Sequence, residues 1–159
     1  YTQDAVTAGH VLRHRSRRDF ERIERSMQYV KRNYTNQITL KETADELSLT
    51  PEYFCRLFKK YTGQTFLTYV NQIRLQYFHS DLLQTDESIT YLMNKNGITN
   101  YKVFLRSFKE AYGMPPGQLR KKQREVRDAG AISAWSASSS GNDSKTETER
   151  TSKPRTPDN

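Results

Sequence analysis

Two arginines occupy matching places in a duplicated pattern. Arg56 lies within residues 40–63, and Arg106 lies fifty residues later, within the similar residues 89–113. Each follows a phenylalanine by two positions. A guanidinium can donate two parallel hydrogen bonds to guanine O6 and N7, a contact that contributes about 1–3 kcal/mol of discrimination between bases. The repeat therefore predicts two reading units for one long, repetitive partner, and duplex DNA is the natural candidate.

The outward faces of the two stretches supply further candidates. Apolar residues recur at i, i+3, i+4 and i+7 in the first stretch, and the second has an apolar face of Phe104, Phe108, Ala111 and Tyr112. Both patterns indicate helices with one buried side. Opposite that side lie the residues that we expect to contact base edges: Glu52, Cys55, Arg56, Tyr101, Lys102, Leu105 and Arg106. Lys59, Lys60 and Lys109 are better suited to phosphates, which position a protein on DNA without reading its sequence. On single helices all of these would be ordinary solvated side chains, but their duplication favours DNA.

Each stretch has the start and stop signals of a helix-turn-helix. In the first, Thr50-Pro51 opens the second helix and Gly63 ends it. In the second, Ser88 is the cap and Gly97 makes the turn. Between the stretches, residues 66–83 predict a connecting helix of roughly 27 Å at 1.5 Å per residue. One DNA turn advances about 34 Å, so a rod of this length would let both units lie on one side of a duplex.

These patterns predict an all-α chain with two helix-turn-helix subdomains and a long connector helix. The predicted regions are a basic linker or frayed helix start at 1–19, the first subdomain at 20–64, the connector at 65–84, the second subdomain at 85–120, and a disordered polar tail at 121–159. The tail is rich in Ser, Thr, Asn and Gly, and such a segment buries too little apolar surface to offset its ordering entropy.

Composition agrees with a polyanionic partner. The 159 residues carry a formal net charge of +8. Each Lys or Arg that meets a phosphate releases a condensed counterion. The single Cys55 excludes an intrachain disulfide, and no apolar run approaches the length needed to cross a bilayer. We therefore expect a soluble protein of the cytoplasm. The chain begins at Tyr1 rather than Met. This start is compatible with a fragment of a longer polypeptide that has a further domain upstream.

Several short motifs carry a more specific signal in their order along the chain. They are LTPEYFCRLFK at 49–59, IRL at 73–75 with LL at 82–83, GI at 97–98, FLRSFK at 104–109 and GMPPGQLR at 113–120. Together they resemble the DNA-binding domain of the AraC/XylS family of bacterial transcriptional regulators. The resemblance covers residues 20–120, nearly two thirds of the chain.

This resemblance implies a fold of about seven helices whose two recognition helices enter adjacent major-groove segments. It implies gene activation through contact with RNA polymerase, or occasionally repression, and an effector domain that would lie upstream of this chain. The positions that match the family's base-reading places are the seven residues already assigned to base edges. The resemblance also includes the arginine at position 74 of the connector. It implies that this residue supports the structure rather than reads the DNA sequence.

The sequence departs from the family pattern at three places, two in the second unit and one in the connector. Ile98 stands where an aromatic is usual, Leu92-Met93 where Ile-Ala is usual, and Phe78 where the connector usually has a small residue. Larger side chains at close-packed positions require local repacking. These residues raise the hypothesis that the second unit docks less tightly, or reads DNA more loosely, than the first.

Two other classes of function were weighed. For an enzyme or metalloprotein, His10 and His14 are four residues apart and could share a helical face, but no third ligand lies at a useful spacing. Cys55 has no base near it in sequence, so we predict no catalysis, metal or organic cofactor. The other alternative is a helical protein-protein interaction module with non-specific affinity for DNA. The affinity for DNA should fall steeply as the salt concentration rises, whereas binding to a protein through an apolar patch should hardly change.

Overall fold

The computed structural model describes the backbone of residues 2–139 and the side chains of residues 13–137. All regular structure in this range is helical, which confirms the all-α prediction. The helices are α1 Thr2–Asn33, α2 Leu40–Glu46, α3 Pro51–Thr62, α4 Phe66–Gln84, α5 Ile89–Lys95, α6 Tyr101–Tyr112 and α7 Pro116–Ser139. The chain divides into two compact units, residues 1–120 and residues 121–159. The first unit holds both helix-turn-helix pairs.

Polar caps and glycines define the ends of the helices. A side-chain oxygen accepts a hydrogen bond from the backbone N–H three residues later at each of five N-caps: Thr39, Thr50, Thr65, Ser88 and Asn100. Helices α3 and α6 both end at a left-handed glycine, Gly63 at φ 76° and Gly113 at φ 77°. Glycine pays no Cβ penalty there. The second helix of each predicted pair is therefore present, and α3 begins and ends at the residues that its sequence indicated, Thr50 and Gly63.

The first helix-turn-helix packs around a cluster of aromatic rings. Phe54 and Phe58 of α3 are fully buried and meet Phe66 of α4 edge to face, at centroid distances of 5.1 Å and 5.4 Å. Ile23 and Val30 of α1 complete this core. Edge-to-face pairs add about 0.5–1.5 kcal/mol each beyond the area that they bury. The core holds the apolar face of α3 inward and leaves its opposite face in solvent.

The second helix-turn-helix has its own core, and α4 contributes to it as well. Phe78 of α4 packs edge to face on Phe104 and Phe108 of α6, at 5.0 Å and 5.6 Å. Met93 and Ile98 are also buried in this core. The bulky residues that depart from the family pattern therefore fill the interior. One helix is shared by two cores, so neither unit can move far without disturbing the other.

Arg74 of α4 ties the connector to the loop after α1. Its Nε donates to the carbonyl oxygen of Tyr34 and its Nη2 to that of Asn36, each at 2.9 Å. Partial burial lowers the pKa of the guanidinium from its ordinary value. The Tyr34 ring stacks on Tyr77 of α4 with centroids 4.2 Å apart. The structural role that the resemblance implied for Arg74 therefore has a physical basis in these contacts.

The turn of the second unit closes on the same loop. Gly97 has φ +70°, and a Cβ built there would lie 2.6 Å from the carbonyl oxygen of Thr35 and 2.7 Å from that of Tyr34. Beside it, buried Asn96 donates to Asp81 of α4 at 3.0 Å, and Lys95 pairs with the same carboxylate at 3.0 Å. We call the contact of the 34–36 loop with Arg74 and Gly97 the junction. It joins the two helix-turn-helix units directly.

The N-terminal boundary predicted from sequence needs correction. Residues 1–19 were assigned to a linker or a frayed helix start, whereas α1 is continuous from Thr2 to Asn33. Tertiary contacts supply the reason at the end of this segment: Tyr61 of α3 donates to the carbonyl oxygen of Ser16 at 3.0 Å, and Asp19 is buried against α3. The side chain of His10 lies outside the described residues.

The C-terminal boundary also differs from the prediction. The disordered tail was placed from residue 121, but α7 continues to Ser139. Residues 121–127 are mostly Lys, Arg, Gln and Glu, which favour helix without burial. The side chains of residues 121–137 are exposed, in keeping with a helix that needs no core. The rest of the predicted tail, residues 140–159, lies outside the described residues.

Three apolar residues that lie at helical spacing with buried ones are themselves exposed. The side chain of Phe20 is 48% exposed and forms an edge-to-face pair with Tyr61. The side chain of Tyr77 is 42% exposed and stacks on Tyr34 at the surface. Ala111 of α6 is also exposed. Each lies at the margin of an apolar stripe, where a small rotation of the helix decides between core and solvent.

The junction generates a stability prediction. We expect Gly97→Ala to reduce the free energy of unfolding by about 3 kcal/mol or more, because it combines left-handed strain with a clash against backbone carbonyls. Gly63→Ala is the matched control, since Gly63 has the same backbone hand but open space around its Cα. It should cost about 1–2 kcal/mol. Urea unfolding of both variants measures this, and equal losses would show that the close approach at Gly97 is unimportant.

Candidate nucleic-acid interface

All ten residues that the sequence analysis assigned to DNA are exposed. Helix α3 carries Glu52, Cys55, Arg56, Lys59 and Lys60, and α6 carries Tyr101, Lys102, Leu105, Arg106 and Lys109. The structure therefore brings them together as two groups of five, one on each of these helices. Their use in reading DNA stays a prediction.

The two groups are built in the same way. Helices α3 and α6 both contain 12 residues, begin at a side-chain cap and end at a left-handed glycine. Phe54 and Phe104 take equivalent places on the buried faces, and each is followed two positions later by an exposed arginine. Two residues correspond to about 200° around a helix, so Arg56 and Arg106 project away from their cores. The fold presents the same chemistry twice.

Arg56 is held beside a hydrogen-bonded tyrosine. Its guanidinium carbon lies 5.9 Å from the centroid of the Tyr53 ring. The Tyr53 hydroxyl donates to Asp19 Oδ2 of α1 at 3.0 Å, and Arg22 pairs with the other carboxylate oxygen at 3.5 Å. Sequence reasoning missed Tyr53 and Asp19 because they are 34 residues apart, and no local pattern links them. The hydrogen bond to Asp19 fixes the Tyr53 ring beside which the Arg56 guanidinium lies.

The second unit presents a more apolar surface. Val103 and Leu105 keep 42% and 39% of their surface exposed. The Tyr101 hydroxyl donates to Asn94 Oδ1 of α5, so this residue both braces the turn and lies on the outward face. Exposed apolar side chains on a recognition helix suit contact with thymine methyl groups. The two units therefore differ in what they offer a partner.

The described residues offer no metal site beside the two recognition helices. Within residues 13–137, whose side chains are described, no group of three or more His, Cys, Asp or Glu could hold a metal ion. Cys55 is exposed and unbridged. His79 of α4 stacks on Tyr112 with centroids 4.1 Å apart, and burial lowers the pKa of its imidazole. No described helix is long and apolar enough to span a membrane.

Comparison with known proteins identifies the family. A family model described as a helix-turn-helix domain, of the AraC/XylS type, matches residues 43–122. The chain belongs to the AraC/XylS family. The match begins in α2 and ends in α7, so it includes both recognition helices of this AraC/XylS member and the connector between them.

Relatives and solved structures agree with this assignment to the AraC/XylS family. The chain is 31% identical to the bifunctional transcriptional activator/DNA repair enzyme AdaA of Bacillus subtilis over 103 residues, which are 65% of this chain and 49% of AdaA. It is 27% identical to the regulatory protein PocR of Salmonella typhimurium over 104 residues, or 65% of this chain and 34% of PocR. This AraC/XylS chain thus spans half or less of the length of these relatives.

Among solved structures, the C-terminal domain of AraT, a response regulator from Geobacillus stearothermophilus, superposes with a TM-score of 0.59 at 27% identity. The superposition covers 64% of this chain and 84% of AraT's. The DNA-binding domain of AdpA, solved in complex with a target DNA, superposes with a TM-score of 0.62 at 18% identity, over 67% of this chain and 96% of AdpA's. At that identity AdpA shows that the AraC/XylS fold is shared.

The contact between α1 and α3 generates a prediction for the family's first recognition helix. We expect Tyr53→Phe to reduce the free energy of unfolding by about 1–2 kcal/mol, because the buried Asp19 carboxylate loses a donor. Tyr91→Phe is the control, since its ring is 53% exposed and the change should stay within about 0.5 kcal/mol. Urea unfolding followed by circular dichroism measures both. Indistinguishable midpoints would remove the Tyr53 to Asp19 bond as a support of α3.

Proposed function

We propose that this chain is the DNA-binding part of a transcriptional regulator that inserts α3 and α6 into adjacent major-groove segments of one duplex. The observation that carries the proposal is the duplicated, exposed, arginine-bearing helix on two cores that share α4. Helix α4 has 19 residues. At 1.5 Å per residue it spans about 28 Å, which is close to the 34 Å advance of one DNA turn. Residues 20–64 and 85–120 are the two reading units, joined by residues 65–84.

Each exposed side chain has a proposed partner on the duplex. Arg56 and Arg106 donate to guanine, and Glu52 accepts from cytosine N4. Tyr101 and Leu105 contact thymine methyl groups, while the remaining base-edge positions are Cys55 and Lys102. The phosphate contacts come from Lys59, Lys60 and Lys109. Lysine suits that role because its ammonium is a strongly hydrated point charge without a preferred plane.

Known relatives support regulation, and activation in particular. The chain is 29% identical over 98 residues to the transcriptional activator RhaS of Pectobacterium carotovorum, which is 35% of RhaS. AdpA binds a target DNA through a domain of the same fold. We propose activation, contact with RNA polymerase, and an effector domain upstream in the longer protein. Because its partner is the chromosome of a bacterial cell, the proposed location is the cytoplasm. The repair activity in AdaA's name belongs to AdaA, and we propose no catalysis for this chain.

The proposed base contacts can be tested on a duplex recovered by in vitro selection with this chain. Arg56→Ala and Arg106→Ala should each weaken binding to the selected duplex by about 1–3 kcal/mol and relax the preference at one guanine. Arg32→Ala, an exposed arginine at the end of α1, should change neither. Fluorescence anisotropy against single-base variants of the duplex measures affinity and preference together. Unchanged preference in both variants would exclude these arginines as readers.

The proposed phosphate contacts have a different signature. Lys59→Ala should weaken binding to selected and scrambled duplexes alike, and should reduce the salt slope by about one unit because one fewer counterion is released. Lys31→Ala on α1 is the charge-matched control and should leave the slope unchanged. Titration with NaCl at several concentrations measures the slope. Equal affinity of the unchanged protein for the selected and scrambled duplexes would instead favour the alternative, a module that binds another protein and has only non-specific affinity for DNA.

A further inference from the structure

The arginine-rich part of α1 lies directly against recognition helix α3. The Tyr61 hydroxyl of α3 donates to the carbonyl oxygen of Ser16 at 3.0 Å and lies 3.1 Å from the Ser16 hydroxyl. One turn further along α1, Asp19 accepts from Tyr53 of α3. These contacts, at both ends of α3, fix the basic segment of α1 beside the helix that carries Arg56. The basic segment precedes the family match, which begins at residue 43.

The two helices enclose a cationic groove. Arg15 of α1 lines it together with Arg56 and Lys60 of α3, and the groove has a volume of about 390 Å³. Arg15 also borders a neighbouring concavity with Arg18 and Arg22. We call these two adjoining surfaces, lined by Arg15, Arg18, Arg22, Arg56 and Lys60, the basic groove. No local sequence pattern places the arginines of α1 near α3, because the contacts that do so join residues 45 and 34 positions apart.

One carboxylate lies among these cations. Asp19 is 7% exposed, and its two oxygens are engaged by Tyr53 and by Arg22. Arg22 therefore offsets Asp19, whereas Arg15, Arg18, Arg56 and Lys60 remain as an excess of positive charge on one concave surface. Guanidinium groups match the geometry of phosphate oxygens, and a concave arrangement lets several of them act on one strand.

We propose that the basic groove binds the DNA backbone, at phosphates that flank the segment read by α3. This inference rests on the proposed function, because the groove adjoins the face that carries Arg56. It extends the DNA-binding surface from the helix-turn-helix onto α1. Arg15 and Arg18 are phosphate-contacting residues in this arrangement and carry no sequence preference. They increase affinity for every duplex alike.

The test compares two double variants of the full chain that lose the same charge. Arg15→Ala with Arg18→Ala removes the groove cations of α1. Arg17→Ala with Lys31→Ala removes two exposed cations that lie roughly half a turn around α1 from Arg15. Binding is measured by anisotropy on a selected 30-base-pair duplex and on its scrambled counterpart, across a series of NaCl concentrations. Circular dichroism and thermal unfolding check that both variants keep the fold, as exposed positions should.

We expect the groove variant to reduce the salt slope by about two units and to weaken both duplexes by the same factor, about tenfold or more near 0.1 M salt. The control should change the slope by less than half a unit. Phosphate-ethylation interference should lose signals beside the α3 segment in the groove variant alone. Equal behaviour of the two variants would overturn the inference while leaving the proposed function intact. Failure of the unchanged chain to bind any duplex would overturn the proposed function itself.

Discussion

The relative placement of the two helix-turn-helix units depends on the hydrogen bonds that one guanidinium donates to one loop. Arg74 of the shared helix donates to the carbonyl oxygens of Tyr34 and Asn36, and the turn at Gly97 closes on the same stretch of backbone. A charged donor forms a stronger hydrogen bond to a backbone carbonyl than a neutral donor does. Because α4 also contributes to both cores, the two helix-turn-helix units are held as one body rather than two.

The fixed arrangement of the two units bears directly on the proposed binding of DNA. A duplex presents its major groove at regular intervals, so two recognition helices can bind it together only if their separation and orientation match that repeat. In this chain the matched pair of arginines lies on α3 and α6, whose inward faces are anchored by phenylalanines. In the proposed arrangement, loosening of the junction would reduce the affinity for DNA even with every proposed base-contacting side chain intact, because each unit would then have to find its groove separately.

Local sequence was enough to predict most of this fold. The caps at Thr50 and Ser88 and the glycines at Gly63 and Gly113 act within a few residues of themselves, so their role is readable without a structure. The Tyr53 to Asp19 bond could not be predicted, because it joins helices 34 residues apart. For the same reason the length of α1 was underestimated, since the contacts beside its basic segment come from α3. Of the candidate site, the exposed residues were predictable, and the groove formed between α1 and α3 was not.

If α3 and α6 are held at a fixed separation, the affinity for DNA must depend on the spacing of the two half-sites. Five base pairs inserted between the two half-sites of a selected duplex would turn one half-site to the opposite side of the helix. Affinity should then fall to that of a duplex with a single half-site. Ten inserted base pairs should not restore it, because α4 cannot lengthen. Full affinity at either spacing would contradict a rigid junction.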